Sequence, residues 1–237
     1  MSALHGKTIL ITGANRGIGR ALADRFADDG ATCILTVRGG AAQTQLEGEL
    51  AASAGRVSVE RCDIAREADV AALRERVGAA FERVDVLVNN AGYFDDRDRA
   101  MYASNISLDV LRATFDVNLF GTVAMCTAFA SLVPRDGRII NVSSTMGQLN
   151  PHGLPHYAVA YSVSKTAVNA YTTSLANELK ERGIMVDSLH PGWVKTAMGG
   201  AGAKITPEQA ADAVYFLATR PLGETGKFWL HDRIIDW

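Results

Sequence analysis

The chain has 237 residues, 48% of them apolar and 21% charged, which suits one large domain with a sizeable core and excludes a disordered chain. A net charge of −2 excludes a nucleic-acid binder that draws its affinity from Lys and Arg against phosphate. Twenty-two glycines against six prolines exclude a collagen-like or Pro-rich chain and favour tight turns and close backbone approaches.

Met1–Lys7 lacks the charged-then-apolar pattern of a secretory signal. The first predicted strand, Lys7–Thr12, runs straight into Thr12-Gly13-Ala14-Asn15-Arg16-Gly17-Ile18-Gly19 and then a helical pattern at Ile18, Leu22 and Phe26. Glycines there permit a tight turn and bring backbone N–H groups, with the helix dipole, against a pyrophosphate. The second predicted strand, Thr32–Val37, ends in Arg38 with no acid beside it. A carboxylate at that point would hold the ribose 2′-hydroxyl of NAD. Two guanidiniums, Arg16 and Arg38, suit the 2′-phosphate of NADP instead. The sequence therefore predicts NADP(H), cradled by Gly13, Asn15, Arg16, Gly17, Ile18 and Gly19 and selected with Arg38.

The third predicted strand, Val57–Arg61, precedes Asp63 and Ile64, and a helical pattern follows at Val70, Leu73 and Val77. The fourth, Val84–Val88, leads into Asn89-Asn90-Ala91-Gly92. The dense run Asp95-Asp96-Arg97-Asp98-Arg99 then reads as a solvated loop or helix start. Asn118 falls in a helical stretch. The fifth strand, Arg138–Val142, puts Ser144 at the carboxyl edge of a sheet, where its hydroxyl can hydrogen-bond a carbonyl oxygen that gains charge; Ser143 competes for that role. Pro151, Gly153 and Pro155 make residues 148–156 a loop, and Pro155 denies His152 and His156 the helix that a zinc pair would need, so no metal is predicted.

Tyr161 and Lys165 stand four apart in a helical stretch continued by Val168, Tyr171 and Leu175, so they share one face. An ammonium beside a phenol favours the phenolate and would bring Tyr161 down from about 10 into a useful acid–base range. The sixth strand, Ile184–Leu189, precedes Pro191-Gly192. Gly199–Ala203 is too rich in glycine for a stable helix and reads as a mobile lid, and a last strand lies near Lys227–Leu230.

Strands alternating with helices predict a doubly wound, Rossmann-like parallel sheet of about seven strands with helices on both faces, in a single α/β domain over residues 1–237. Ligands then bind beyond the carboxyl ends of the strands. Cys33, Cys62 and Cys126 form no CxxC pair and read as buried thiols of a reducing compartment. With no run of 18 apolar residues and no signal pattern, a cytoplasmic protein with no membrane span is expected.

Together, Thr12–Gly19, Asn89-Asn90-Ala91-Gly92, Asn118, Ser144, Tyr161-x-x-x-Lys165 and Pro191-Gly192 resemble the ordered motifs of the short-chain dehydrogenases/reductases over nearly the whole chain. Ser144 is preferred to Ser143 because Ser144-Thr145-Met146-Gly147 resembles the family's Ser-x-x-Gly. The resemblance implies a catalytic set of Asn118, Ser144, Tyr161 and Lys165. Asn118 would position a water that connects Lys165 to solvent, and Tyr161 and Lys165 would also face the cofactor, Lys165 holding the nicotinamide ribose. It implies that Asp63 meets the adenine, that Asn89, Asn90, Ala91 and Gly92 line the cofactor cleft, that Pro191, Gly192 and Thr196 hold the carboxamide, and that Ile64 and Val194 also contact the cofactor.

The segments Thr12–Gly17, Arg38, His190–Thr196 and Thr225–Phe228 resemble the carbonyl-reductase branch, which implies reduction of ketones, aldehydes or quinones by NADPH. Met146, Trp193, Tyr93 and His152 are the candidate substrate contacts, with Phe94, Leu149 and Met198 beside them. Ser144 and Tyr161 are 17 residues apart, a few more than is common in the family, and the extra length lies in the 148–156 loop. The same residues also serve alcohol oxidation, and a dinucleotide sensor with little turnover is a further alternative. Relatives commonly pair through the helices that carry Asn118 and Tyr161, so the resemblance implies a homo-oligomer acting on a small molecule, with a monomer left open.

Overall fold

The computed structural model describes residues 2–50, 56–149 and 154–237. One sheet holds β1 (Thr8–Ile11), β2 (Thr32–Val37), β3 (Arg56–Arg61), β4 (Val86–Asn89), β5 (Arg138–Val142), β6 (Met185–His190), β7 (Phe228–Leu230) and β8 (Arg233–Ile235). Their spatial order is β3-β2-β1-β4-β5-β6-β7-β8. Every neighbouring pair is parallel except β7–β8, where Trp229 faces Ile234 in an antiparallel hairpin. The chain builds outward from β1 to β3, then returns to lay β4 on the other side of β1. That reversal opens a crevice beyond the carboxyl ends of β1 and β4.

Continuous apolar strands are explained by burial on both faces. Ile9 and Ile11 of β1 point into one layer with Cys33, Leu35 and Val88, covered by α1 (Gly17–Asp28) and α7 (Pro207–Thr219). Leu10 points the other way, with Ile34, Leu87, Ile139 and Val186, beneath α3 (Glu67–Ala80), α5 (Thr122–Phe129) and α6 (Val159–Leu179). The α2 helix (Gly40–Leu50) adds Leu46 and Leu50 to the first layer. α4 (Leu108–Phe115) runs through a π turn at Asp116–Gly121 into α5. The joined helix Leu108–Leu132 is long and apolar enough, by length and composition, to cross a membrane. Here Met125, Cys126 and Phe129 pack it into the second layer.

Polar groups tie the sheet together beneath its carboxyl edge. Asn89, Asn141 and Ser188 lie side by side in register on β4, β5 and β6. Asn89 Nδ2 donates to Asn141 Oδ1 at 2.8 Å, and Asn141 Nδ2 donates to Thr172 Oγ1 of α6 at 2.9 Å. Ser188 Oγ donates to the same Thr172 oxygen at 2.9 Å. The ladder anchors the middle of α6 to three strands. The three cysteines are buried and free, and burial raises Cys33 and Cys126 to about 12 and Cys62 to about 11, so all are thiols at neutral pH.

Candidate active site

The glycine loop leaves β1 at the crevice. Gly13 and Gly17 both have positive φ, 67° and 55°. A Cβ on Gly13 would stand 3.0 Å from Ala91 Cα, and one on Gly17 would stand 3.0 Å from Thr196 Cγ2. A Cβ on Gly19 would strike the Gly13 carbonyl and stand 2.6 Å from Asn90 Nδ2. The loop is thus pressed between the segments that follow β4 and β6. Thr12 and Asn90 stitch it in place: Thr12 Oγ1 accepts from the Asn90 and Ala91 N–H groups at 3.0 Å, and Asn90 Nδ2 donates to Thr12 O at 2.8 Å.

Helix α1 begins here with no side-chain cap and no acid in its first turn. Its N–H groups and positive dipole end are therefore open to an anion. Arg16 and Arg38 are exposed at this corner, and neither makes an ion pair among the described residues. Asp63 accepts from its own turn, at Ala65 N–H, while Ile64 is buried with its side chain against Gly121. The residues present fit a dinucleotide phosphate: a cradle that side chains would fill, an uncapped helix end and two unpaired guanidiniums.

The candidate catalytic residues converge at the same edge. Tyr161 and Lys165 lie one turn apart in α6, with Lys165 Nζ 5.6 Å from the Tyr161 ring centroid. The Ser144 side chain, at the end of β5, stands beside the Tyr161 hydroxyl. Ser143 faces the opposite way, and its Oγ donates to Lys165 O at 3.3 Å. Tyr157, the other tyrosine nearby, is exposed and lies ahead of the helix against His156. Lys165 is 4% exposed, and its Nζ donates to Val142 O at 2.9 Å.

Burial raises Tyr161 to about 12, outweighing the Ser144 hydrogen bond, which favours the phenolate. This corrects the expectation that Lys165 would bring the phenol down. Desolvation disfavours charge on both groups, and it lowers Lys165 to about 8.

Asn118 sits in the π turn, fully buried. Its Oδ1 accepts from Tyr93 N–H at 2.7 Å, and its Nδ2 donates to Tyr93 O at 3.0 Å and to Ser164 Oγ at 2.9 Å. The side chain is spent bracing the post-β4 segment against α6.

Of the candidate substrate contacts, Tyr93 turns away, its Oη donating to Asp95 at 3.1 Å. Phe94 takes the place against Tyr161, edge-on with ring centroids 5.3 Å apart. Met146 is half-buried beside Ser144 in sequence. His152 lies outside the described residues. Trp193 is half exposed and organises the segment expected to be a loose lid. Its Nε1 donates to Gly199 O at 2.8 Å, and its carbonyl accepts from Lys204 N–H at 2.9 Å. A Cβ on Gly202 would stand 2.9 Å from the indole, and one on Gly199 would strike the Val194 carbonyl. The glycines serve close packing around Trp193. Val194 is buried and bridges to Ile205, and Thr196 Oγ1 accepts from Gly199 N–H at 3.1 Å. Pro191 is buried and Gly192 packs against Ile205, behind this segment.

The charged run after β4 starts a short 3-10 turn with Asp96, Arg97 and Arg99 exposed, as expected, but two of its acids are not solvated. Asp95 and Asp98 are buried, at 7% and 0% exposure. Asp95 is gripped by Arg97, Nε to Oδ1 at 2.9 Å and Nη2 to Oδ2 at 2.7 Å, which holds its carboxyl far below the usual range.

Residues 7–204 match the family of short chain dehydrogenases. The chain is 33% identical to a rabbit (Oryctolagus cuniculus) L-fucose dehydrogenase over 94% of its own length and 75% of the relative's. It is 32% identical to a 3-oxoacyl-[acyl-carrier-protein] reductase of Synechocystis, covering 93% of this chain and 92% of that one. The NADPH-bound carbonyl reductase from chicken fatty liver superposes with a TM-score of 0.86 at 25% identity, covering 99% and 100% of the two chains.

Proposed function

Because the chain belongs to the short chain dehydrogenase family, we propose that it is an NADPH-dependent reductase of ketone, aldehyde or quinone carbonyls, with Tyr161 as proton donor. The observation that carries this reading is the meeting of the Tyr161 and Ser144 hydroxyls at the carboxyl edge, beside the glycine-lined crevice. When bound, the reduced nicotinamide cofactor supplies the hydride.

Two neighbouring hydroxyls suit a carbonyl oxygen, which accepts two hydrogen bonds and gains charge as its carbon is reduced. Tyr161 is a phenol at neutral pH, so it can give its proton to that oxygen. Ser144 steadies the same oxygen. Lys165, charged below about pH 8, lies behind the Tyr161 ring and stabilises the phenolate as the proton leaves. Asn118 keeps the Tyr93 backbone and α6 in register, which supports a bracing role beside the water contact that the resemblance implies. The uncapped α1 terminus would take the pyrophosphate, and Arg16 and Arg38 the 2′-phosphate.

The NADPH-bound carbonyl reductase and the 3-oxoacyl reductase support the reductive direction. The L-fucose dehydrogenase likeness favours a second reading, alcohol oxidation at the same residues. A cofactor-oxidation screen tests the proposal. The chain is mixed with NADPH or NADH and a panel of aldehydes, α-keto esters, quinones and bulky ketones. Turnover with NADPH is expected. Tight NADPH binding without turnover on any carbonyl would favour a sensor, and faster turnover of sugars or alcohols with the oxidised cofactor would favour the dehydrogenase.

A further inference from the structure

The charged run after β4 carries a buried acid that the chemistry above does not use. Asp98 lies in the short 3-10 turn Asp96–Ala100 and is fully buried. Its Oδ1 accepts from Ala160 N–H at 3.1 Å and its Oδ2 from Tyr161 N–H at 2.9 Å. Its backbone carbonyl accepts from Ala158 N–H at 3.1 Å. Helix α6 has no cap of its own, because Ala158 stands in the left-handed region at φ 52° and carries no acceptor. The N–H groups that a helix leaves unpaired in its first turn are here met by a carboxylate from another element. Tyr161 is gripped from its other side as well. Ser164 Oγ donates to Tyr161 O at 2.7 Å and accepts from Asn118, which holds the Tyr93 backbone.

We propose that Asp98 is a positioning residue for the reduction: its carboxylate fixes the first turn of α6 and so aims the Tyr161 hydroxyl at Ser144 and the substrate oxygen. This rests on the reading of Tyr161 as proton donor. Asp98 also sets charge. A carboxylate at a helix N-terminus opposes the dipole that would favour a phenolate three residues in, so it keeps Tyr161 protonated and Lys165 charged.

The other titratable groups around Tyr161 are accounted for. Lys165 is on α6 itself, and Arg99 stacks on Phe94, which is edge-on to Tyr161. Asp96 pairs with Arg99, and Asp95 with Arg97. His156 stacks on Tyr102 ahead of the helix. Among the described residues, the packed neighbours of α6 contribute the exposed Asp109–Arg112 pair on α4, exposed Asp116 in the π turn, and on β6 Asp187, bound to Arg220, and His190, which burial lowers to about 4 and so keeps neutral.

Two variants of the full chain test the role. Asp98→Ala removes both acceptors, and Asp98→Asn keeps the shape and one acceptor but removes the charge. For Asp98→Ala, kcat should fall about a hundredfold with KM and NADPH binding within about threefold. Asp98→Asn should recover most of kcat. Its alkaline limb should move about half a unit to lower pH, because losing a carboxylate favours the Tyr161 phenolate and disfavours the Lys165 ammonium alike. Should Asp98→Ala not fold, the Asp98→Asn profile decides. A wild-type profile and kcat in Asp98→Asn, or equal losses of kcat and NADPH binding in Asp98→Ala, overturn the proposal. Ultraviolet difference titration against Tyr161→Phe reads the phenol without turnover. A lowered phenol pKa in Asp98→Asn with no carbonyl reduced by the wild type sinks the reductase reading alone. An unmoved phenol in an active enzyme sinks the positioning role alone.

Discussion

Burial drives Tyr161 and Lys165 toward their neutral forms, one upward and one downward, and this fixes the direction of the pH dependence. Reduction needs a phenol and an ammonium. Both are present at neutral pH, and the ammonium is lost as pH rises through about 8, so the reductive rate should hold through neutrality and fall beyond that value. Oxidation needs the phenolate and should rise with pH over the same range. Profiles of kcat/KM in the two directions check this, and a reductive rate that climbs above pH 8 would contradict it. Tyr161→Phe should lower kcat by about a thousandfold with NADPH binding unchanged. Arg38→Asp should reverse the preference between NADPH and NADH, read from the ratio of kcat/KM for the two cofactors; an unchanged ratio would remove Arg38 from the 2′-phosphate. Tyr161 and Lys165 were legible because a four-residue spacing needs only a helix to bring them together. Which residue stands against Tyr161 was not. Neighbouring residues of an extended segment point to opposite sides, so the position against Tyr161 falls to Phe94.

At the level of elements, strands buried on both faces were readable as apolar runs, and six of the predicted strands lie within two residues of β1 to β6 at either end. β8 was not readable. It is three largely exposed residues after a turn in which His231, not glycine, takes φ 55°. The π turn at Asp116–Gly121 was equally silent, and its Asn118 holds the Tyr93 backbone 25 residues away, a partner that no local pattern records. Charge density misled at Asp98, whose burial comes from a tertiary acceptor role that no local pattern records, and at Asp95, which its local partners Tyr93 and Arg97 hold out of solvent.

Two elements carry predictions of their own. The 194–205 segment is wound on Trp193, so Trp193→Ala should loosen it and raise KM about tenfold with a smaller effect on kcat; equal KM values would show that the segment does not shape the pocket. The end of α7 is locked to β6 by a buried pair, Arg220 Nη2 donating to Asp187 Oδ2 at 2.8 Å, and burial together with Arg220 lowers the neighbouring Arg138. Asp187→Ala would leave two clustered guanidiniums without their buried carboxylate and should cost about 3–5 kcal/mol, read by denaturant unfolding.

Across the whole molecule, the sheet order places every motif after a strand at one edge, which is why a linear sequence could report a single cleft. What lies outside that cleft is the apolar excess of the helix Leu108–Leu132. Only 33% of its most apolar window is buried within the chain. Leu108 and Phe120 are each 58% exposed, and Val163 on the adjoining α6 is 37% exposed. Large apolar side chains exposed on two packed helices are unfavourable in water, and a second copy laying the same helices against them would cover them. The expected state is therefore a symmetric dimer or a larger closed assembly. Because the π turn holding Asn118 and the helix holding Tyr161 would both lie at that face, pairing would also stiffen the site. Phe120→Glu puts an unpaired charge among these exposed apolar residues and should yield a monomer by sedimentation. The monomer should keep NADPH binding, which uses β1, α1 and β2, but lose kcat several-fold as the α6 first turn loosens. A wild-type chain that sediments as a monomer would leave the exposed apolar residues without this explanation, and a monomeric Phe120→Glu with full kcat would separate assembly from catalysis.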